Sequence, residues 1–206
     1  QKYPNVFVIS DEICEYISFY ENIFSIGSLK EIKNRVITLN GFSKSYAMTG
    51  WRVGYMCADE FIIDSCKKIQ EPITAGICGI SQRAAFAAIS ARKNFDVLKM
   101  VSYYKERAEY LYNFFSKNTN IKPIKPKGAI YMFLNIEEYL NKKDSTGKII
   151  ENCKDFAMFL LNEAQVSSVA GHSFGIESYI RICYAQDFEK LKKACDKILE
   201  ALKKLY

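Results

Sequence analysis

Lys44 is the residue of this sequence whose position most suggests a chemical role, because it follows an apolar run, Val36 to Leu39, with the pattern of a buried strand. Small and hydroxylated residues surround it. A lysine taken out of water loses its preference for the charged form, and a neutral amine is a good nucleophile for a carbonyl carbon. Taken alone, Lys44 is more simply explained as a solvated loop lysine. Its neighbours decide between the two interpretations.

Two charged residues could bind the same ligand as this lysine. Arg52 follows Lys44 by eight positions, and an arginine can hold a phosphate through two parallel hydrogen bonds. Asp11 directly follows the apolar run Val6–Ser10; it is either an ordinary turn residue or a ligand-binding residue at the carboxyl end of a strand. An amine for an aldehyde, a guanidinium for a phosphate and a carboxylate for a ring nitrogen match pyridoxal 5'-phosphate (PLP).

The segment from Asn40 to Tyr55 resembles the PLP-lysine region of the class I/II aminotransferases of fold type I, especially the aspartate, aromatic and kynurenine aminotransferases. The similarity rests on the Ser-Lys pair at 43–44 and on the run Met-Thr-Gly-Trp-Arg-Val-Gly-Tyr. Asp11 opens a second similar motif, Asp-Glu-Ile-x-x-Tyr. The resemblance implies that Lys44 forms the Schiff base and moves protons, that Asp11 pairs with the pyridinium nitrogen, and that Arg52 anchors the phosphate.

Two positions depart from the pattern of that family. Cys14 stands where relatives have a tyrosine that bonds the phenolic oxygen of the cofactor, and a thiol is a weaker donor. Tyr16 is not expected to replace it. Gly41 stands where relatives often offer a hydroxyl to the phosphate, a role that Ser43 or backbone N–H groups could take here. We therefore include Ser43 among the expected cofactor-binding residues.

Arg181 lies inside an otherwise apolar strand, Tyr179–Cys183. Because a guanidinium cannot shed its charge, its burial requires an anionic partner, which could be an internal salt bridge. The resemblance implies instead that Arg181 binds the α-carboxylate of an amino-acid substrate. The implied reaction is the transfer of an amino group between an L-amino acid and a 2-oxo acid. His172, in the loop before this strand, is expected to be a loop residue without a catalytic role.

The elements alternate between strand and helix, which predicts an α/β fold. By the resemblance, residues 1–118 form the C-terminal part of a large PLP-binding domain, with a partial, mostly parallel sheet, helices and a bridging helix. Residues 119–206 then form a small α+β domain. Further strands are expected at 53–57, 121–125, 128–134 and 166–169, and helices at 59–70, 81–92, 95–116, 153–163 and 187–205.

The composition of the chain argues against several classes of protein and several kinds of site. The net charge of +6, from 29 basic and 23 acidic residues, is spread along the chain, so no nucleic-acid partner is expected. No apolar run approaches the ~18 residues of a membrane span. The seven cysteines lie in apolar patterns, as reduced core cysteines do, which favours a cytoplasmic protein. A single histidine argues against a multi-histidine metal site and a Ser-His-Asp triad.

The resemblance covers only the C-terminal half of a usual family member, and Gln1 reads as the middle of a longer chain. The full-length protein is expected to be a homodimer. Alone, these 206 residues are expected to bind PLP weakly and to be catalytically poor. Another PLP enzyme of the same fold, a carbon–sulfur lyase or an aminocyclopropane-carboxylate synthase, remains an alternative, as does a non-catalytic homologue. These residues do not show which amino acid is the preferred amino donor.

Overall fold

The computed structural model describes residues 2–20, 23–91 and 95–206. Contacts divide the chain into two compact units, Gln1–Val101 and Ser102–Tyr206. The division falls within one long helix, Phe95–Asn118. The domain boundary expected at residues 118–119, where this helix ends, stays a prediction. Arg92, the predicted last residue of an earlier helix, lies outside the described residues.

A three-stranded sheet organises the first unit. Its strands are β1 (Val8–Asp11), β2 (Val36–Gly41) and β3 (Gly54–Cys57), in that spatial order. β1 and β2 are parallel, whereas β3 is antiparallel to β2. Strand β1 begins at Val8 instead of the expected Val6 because its pairing with β2 begins there, opposite Val36.

Three helices follow the sheet: α1 (Glu60–Thr74), α2 (Gly79–Ser90) and α3 (Phe95–Asn118). The Asp59 carboxylate accepts a hydrogen bond from the amide of Phe61 and so starts α1 at its predicted position. The expected end of α1 near Gln70 is wrong, since the helix continues through Pro72. Proline lacks an N–H and forfeits one helical hydrogen bond, but the helix stops only at Ala75, which is left-handed.

The first unit exposes much apolar surface. Helix α1 buries none of its residues, and Phe61 is 79% exposed. Other large apolar side chains that are at least half exposed include Tyr3, Val6, Phe7, Ile9, Tyr16, Tyr20, Phe24, Ile69, Ile73, Ile80, Phe86, Ile89 and Leu98. Surface of this kind normally meets another part of a protein.

The second unit combines the rest of α3 with an antiparallel sheet and two further helices. The strands are β4 (Lys122–Pro123), β5 (Tyr131–Asn135), β6 (Val169–Ala170) and β7 (Tyr179–Cys183), in the order β4-β5-β7-β6. The helices are α4 (Cys153–Ala164) and α5 (Phe188–Leu202). All strand pairs of this sheet are antiparallel, which is the α+β arrangement expected for this part of the chain.

The core of the second unit is formed by one face of its sheet and the inner faces of its helices. Its fully buried large side chains include Leu111, Phe115, Ile121, Met132, Leu134, Phe156, Leu160, Ile180 and Tyr184. Asn152 caps α4 by accepting from the amides of Lys154 and Asp155, and Asp187 caps α5.

Three predicted strands of this unit are wrong in extent. The strand expected at 128–134 begins only at Tyr131, because Ala129 before it is left-handed, with φ of 59°. The strand expected at 121–125 shrinks to two residues, β4, since Pro123 cannot donate a hydrogen bond. The strand expected at 166–169 begins only at Val169. Val166 instead donates its amide to Leu160 and closes the end of α4, after a left-handed Gln165.

The cysteines are less buried than expected. Among the described residues Cys153 and Cys195 are buried, whereas Cys57, Cys78 and Cys183 are exposed. The exposed cysteines end strands or precede a helix, which an apolar pattern in the sequence does not reveal. All seven are free thiols. Within the described parts of the chain, no helix has the length and apolar character of a membrane span.

Candidate functional site

Lys44 lies in a tight turn that begins as soon as β2 ends. The amide of Tyr46 bonds the carbonyl of Phe42 at 3.2 Å, and the amide of Ala47 bonds the carbonyl of Lys44 itself at 3.3 Å. Ala47 is left-handed, with φ of 53°, which closes the turn. The strand therefore delivers a half-buried lysine at its carboxyl end, as expected from the sequence.

The Lys44 turn is joined to the turn that carries Asp11. β1 and β2 are parallel, with Asp11 opposite Leu39, so both turns leave the same edge of the sheet. The Ser45 hydroxyl is fully buried and lies 3.5 Å from the carbonyl oxygen of Ile13. The Asp11 carboxylate in turn accepts from the amide of Ile13 at 3.2 Å. Sequence analysis missed this role of Ser45, although its position next to Lys44 was visible.

The electrostatics of Cys14 bring three residues into one site. Burial raises the pKa of the Cys14 thiol, the positive charge of Lys44 opposes that rise, and the negative charge of Asp11 adds to it. The ammonium and the carboxylate therefore both act on the same sulfur. Asp11, Cys14 and Lys44 lie at or just after the carboxyl ends of the paired strands β1 and β2.

Arg52 sits in the same unit, at the end of a short helical turn formed by Thr49–Trp51. It is left-handed, with φ of 52°, and its guanidinium donates to the carbonyl of Thr49 at 3.0 Å. The buried Ser81 hydroxyl of α2 donates to the carbonyl of Trp51 at 2.8 Å and so anchors this turn. The arginine is exposed and has donors left for an anion.

Packing accounts for glycine at position 41. Gly41 pairs with Gly54 where β2 and β3 meet. A Cβ on Gly41 would lie 2.9 Å from the Gly54 Cα and 3.0 Å from the carbonyl oxygen of Val53, both backbone atoms. A hydroxyl side chain therefore does not fit here. Ser43, half-buried in the same turn as Lys44, stays the predicted hydroxyl ligand of the cofactor.

Aromatic rings pack around the Lys44 turn. Phe42 lies 5.4 Å from Tyr46 and 6.2 Å from Tyr55, measured between ring centroids. Tyr16 meets Tyr46 edge-on at 6.2 Å. Burial, and then the charge of nearby Glu15, raise the pKa values of Tyr16 and Tyr55, so both phenols are neutral at pH 7.

Arg181 belongs to the second unit, on β7. Its guanidinium carbon lies 4.1 Å from the centroid of the Tyr131 ring and 4.5 Å from that of Phe174. Among the described residues, no carboxylate approaches it within 4.0 Å, so the internal salt bridge considered above is not formed there. Sequence analysis placed Tyr131 in the strand expected at 128–134 and did not predict its contact with Arg181.

His172 has a structural environment, in line with its expected loop position. Its Nδ1 lies 2.5 Å from a carboxylate oxygen of Glu177, and its backbone amide lies 3.3 Å from the Cys153 sulfur. The hydrogen bond from His172 lowers the pKa of the Glu177 carboxyl. Among the described residues, no cluster of histidine, cysteine and carboxylate side chains suits a metal ion.

The environments of the cysteines predict an order of thiol reactivity. Amide hydrogen bonds from Ser81 and Ile80 lower the pKa of exposed Cys78, burial raises that of Cys14, and burial raises that of Cys195 to about 12. Since only the thiolate attacks iodoacetamide, we expect labelling at pH 8 in the order Cys78, Cys14, Cys195. Mass spectrometry of timed samples measures it, with the unfolded chain as control. Equal rates for Cys14 and Cys78 in the folded protein would contradict the environment described for Cys14.

Comparisons with known proteins show what this chain is similar to. The family model "Aminotransferase class I and II" matches residues 1–198. A probable aspartate/prephenate aminotransferase of Rickettsia typhi is 36% identical over 203 residues, which are 98% of this chain and 51% of that protein. A bifunctional aspartate aminotransferase and glutamate/aspartate-prephenate aminotransferase of Petunia hybrida is 38% identical, with 98% of this chain and 43% of that protein covered.

A solved structure shares the fold. The aspartate aminotransferase of Rhizobium meliloti superposes with a TM-score of 0.94 at 31% identity, covering 100% of this chain and 52% of that one. The chain thus spans about half the length of the curated relatives that it matches.

Proposed function

The chain belongs to the class I and II aminotransferases, and from that premise we propose that it is the PLP-lysine half of an enzyme that transfers an amino group between an L-amino acid and a 2-oxo acid. The observation that supports this best is the joined pair of turns: Lys44 and Asp11 lie at the carboxyl ends of neighbouring parallel strands, and Ser45 links the two turns.

The residues present fit PLP. The cofactor needs an amine for its aldehyde, an acid for its ring nitrogen and a cation for its phosphate, and Lys44, Asp11 and Arg52 supply them within one unit. Ser43 adds a hydroxyl to the phosphate side. When bound, PLP supplies an aldehyde that condenses with amines and a ring that accepts electrons.

Each of these side chains has a distinct task in the proposed reaction. Lys44 would hold the cofactor, and its side-chain amine would take the proton from the substrate Cα. The Asp11 carboxylate holds a proton at the ring nitrogen. Arg181, through its planar guanidinium, binds the substrate α-carboxylate and so orients the Cα–H bond.

Cys14 gives this site a weaker donor than a tyrosine would give. Because burial raises its pKa, the thiol is neutral at pH 7 and donates only a weak hydrogen bond. We expect slower turnover than in relatives with tyrosine at this position.

The wider biology of the protein is also proposed. The names of the relatives favour aspartate or glutamate as the first donors to test. We infer a homodimer for the full-length protein and a cytoplasmic location. Because α1 buries none of its residues, the 206-residue chain alone is expected to bind PLP weakly and to turn over more slowly than about 1 per second.

Borohydride trapping tests the proposal. The chain is mixed with PLP, its visible spectrum is recorded, and the reduced protein is digested and mapped by mass spectrometry. We expect preferential labelling of Lys44, and its complete loss in Lys44→Arg. The matched control, Lys30→Arg, removes an exposed lysine and should leave the Lys44 label unchanged. Labels scattered evenly over surface lysines, equally in the parent and in Lys44→Arg, would refute a PLP site here.

Product analysis separates the proposed activity from the alternatives. An aminotransferase converts a 2-oxo acid to an amino acid, whereas a carbon–sulfur lyase releases ammonia and pyruvate. A non-catalytic homologue does neither.

A further inference from the structure

The sheet of the second unit has two unlike faces around Arg181. Side chains alternate between the faces along β5 and β7. One face is core, with the buried residues Met132, Leu134, Ile180 and Ile182. The other face is half-exposed, with Tyr131, Phe133, Tyr179 and Arg181. Arg181 therefore lies on a face that is open to a ligand and rich in aromatic rings.

Two rings hold the guanidinium on this face. Tyr131 and Phe174, here called the aromatic seat, lie 4.1 and 4.5 Å from the guanidinium carbon, within the ~6 Å range of cation–π attraction. Phe133, directly opposite Arg181 in the strand pairing, meets Phe174 edge-on at 5.3 Å. A third ring, that of Phe133, thus packs against Phe174.

The loop that delivers Phe174 is itself fixed. It forms a short helical turn, Gly171–Phe174, which Gly175 closes with its amide on the carbonyl of His172 at 3.0 Å. The side chain of His172 pairs with Glu177, and its amide meets the Cys153 sulfur at the start of α4. The ring of Phe174 consequently has a defined place above Arg181.

We propose that Tyr131 and Phe174 are positioning residues that hold the Arg181 guanidinium for a carboxylate ligand. This rests on the proposed function, in which Arg181 binds the substrate carboxylate. The rings attract the cation through their own π-faces, whereas a carboxylate binds the N–H donors of the guanidinium. Among the described residues, no salt bridge or hydrogen bond of the protein occupies those donors. A guanidinium that is already oriented loses less freedom when the carboxylate binds.

Binding of maleate, a dicarboxylate without an amine, tests this assignment on the 206-residue chain. Titration is followed by NMR through the Nε–H signals of the arginines, and Arg181→Lys identifies the Arg181 signal. If the aromatic seat holds Arg181, ring currents should shift its Nε–H signal, and this signal should move when maleate is added. Phe174→Leu and Tyr131→Leu should lose that shift and weaken binding by about 3- to 30-fold, the range of a lost cation–π contact.

Conservative variants separate positioning from mere folding. Phe174→Tyr and Tyr131→Phe keep the ring and should restore both the shifted signal and the affinity. Parent affinity in both leucine variants, with binding lost in Arg181→Lys, would overturn the seat and leave the carboxylate role of Arg181 intact. No response of the Arg181 signal to maleate in the parent chain, or parent affinity in Arg181→Lys, would overturn the carboxylate role itself.

Discussion

Replacing Gly171 by alanine is expected to destabilise the second unit by about 3 kcal/mol or more, since the added methyl group has no space. A Cβ on Gly171 would overlap the carbonyl oxygens of Ile176 and Tyr179 and lie 3.0 Å from the Tyr179 carbonyl carbon. These are backbone atoms, and Tyr179 begins β7, so the strand would have to move. The same displacement would shift Phe174 away from Arg181.

Hydrogen exchange read by mass spectrometry checks this result locally. Peptides that contain β7 and α4 should lose protection in Gly171→Ala. Gly79→Ala is the matched control, because no atom lies within 4 Å of a Cβ at Gly79, the first residue of α2. That change should be neutral or stabilise by up to about 1 kcal/mol. Parent-like protection of β7 in Gly171→Ala would mean that the backbone is not packed against Gly171 as described.

Two neighbouring leucines of α4 should differ strongly in how much their replacement by alanine lowers the free energy of unfolding. Leu160 is fully buried, whereas Leu161 is 45% exposed. We expect Leu160→Ala to lower the free energy of unfolding by about 2–5 kcal/mol, through lost apolar burial and the cavity left behind. Leu161→Ala should change it by less than about 1 kcal/mol.

Urea unfolding of the two variants, followed by far-ultraviolet circular dichroism and by hydrogen exchange of α4, measures the difference. Trp51 lies in the first unit, so its fluorescence is not the probe to use. Because both variants make the same chemical change in the same helix, helix propensity cancels between them. Equal destabilisation would contradict the orientation of α4 toward its sheet.

Much of the fold followed from local patterns. The ends of β7 were predicted to the residue, because an apolar strand between polar flanks leaves little choice. Asp59 and Asp187 marked two helix starts, because a capping carboxylate has a local effect on the backbone. The end of α1 was predicted too early, because the helix continues through Pro72 to Thr74.

Long-range contacts were the part that the sequence could not supply. The hydroxyl of Ser45 approaches the carbonyl of Ile13, 32 positions away in the chain, and no local pattern announces that pairing. The glycine at position 41 looked like a missing hydroxyl and proved to be a close approach of two strands. Its partner, Gly54, is specified only when β2 and β3 pair.

The sequence by itself determined the family and the side chains suited to its chemistry, because the residue types and short spacings around Lys44 and Arg52 can be recognised without knowledge of the fold. Only the tertiary structure decided what surrounds them. It placed Asp11 and Lys44 on one sheet edge and set the rings of Tyr131 and Phe174 against Arg181. The physical reason is that strand pairing and side-chain packing join residues far apart in the chain, and local preferences do not encode which residues meet.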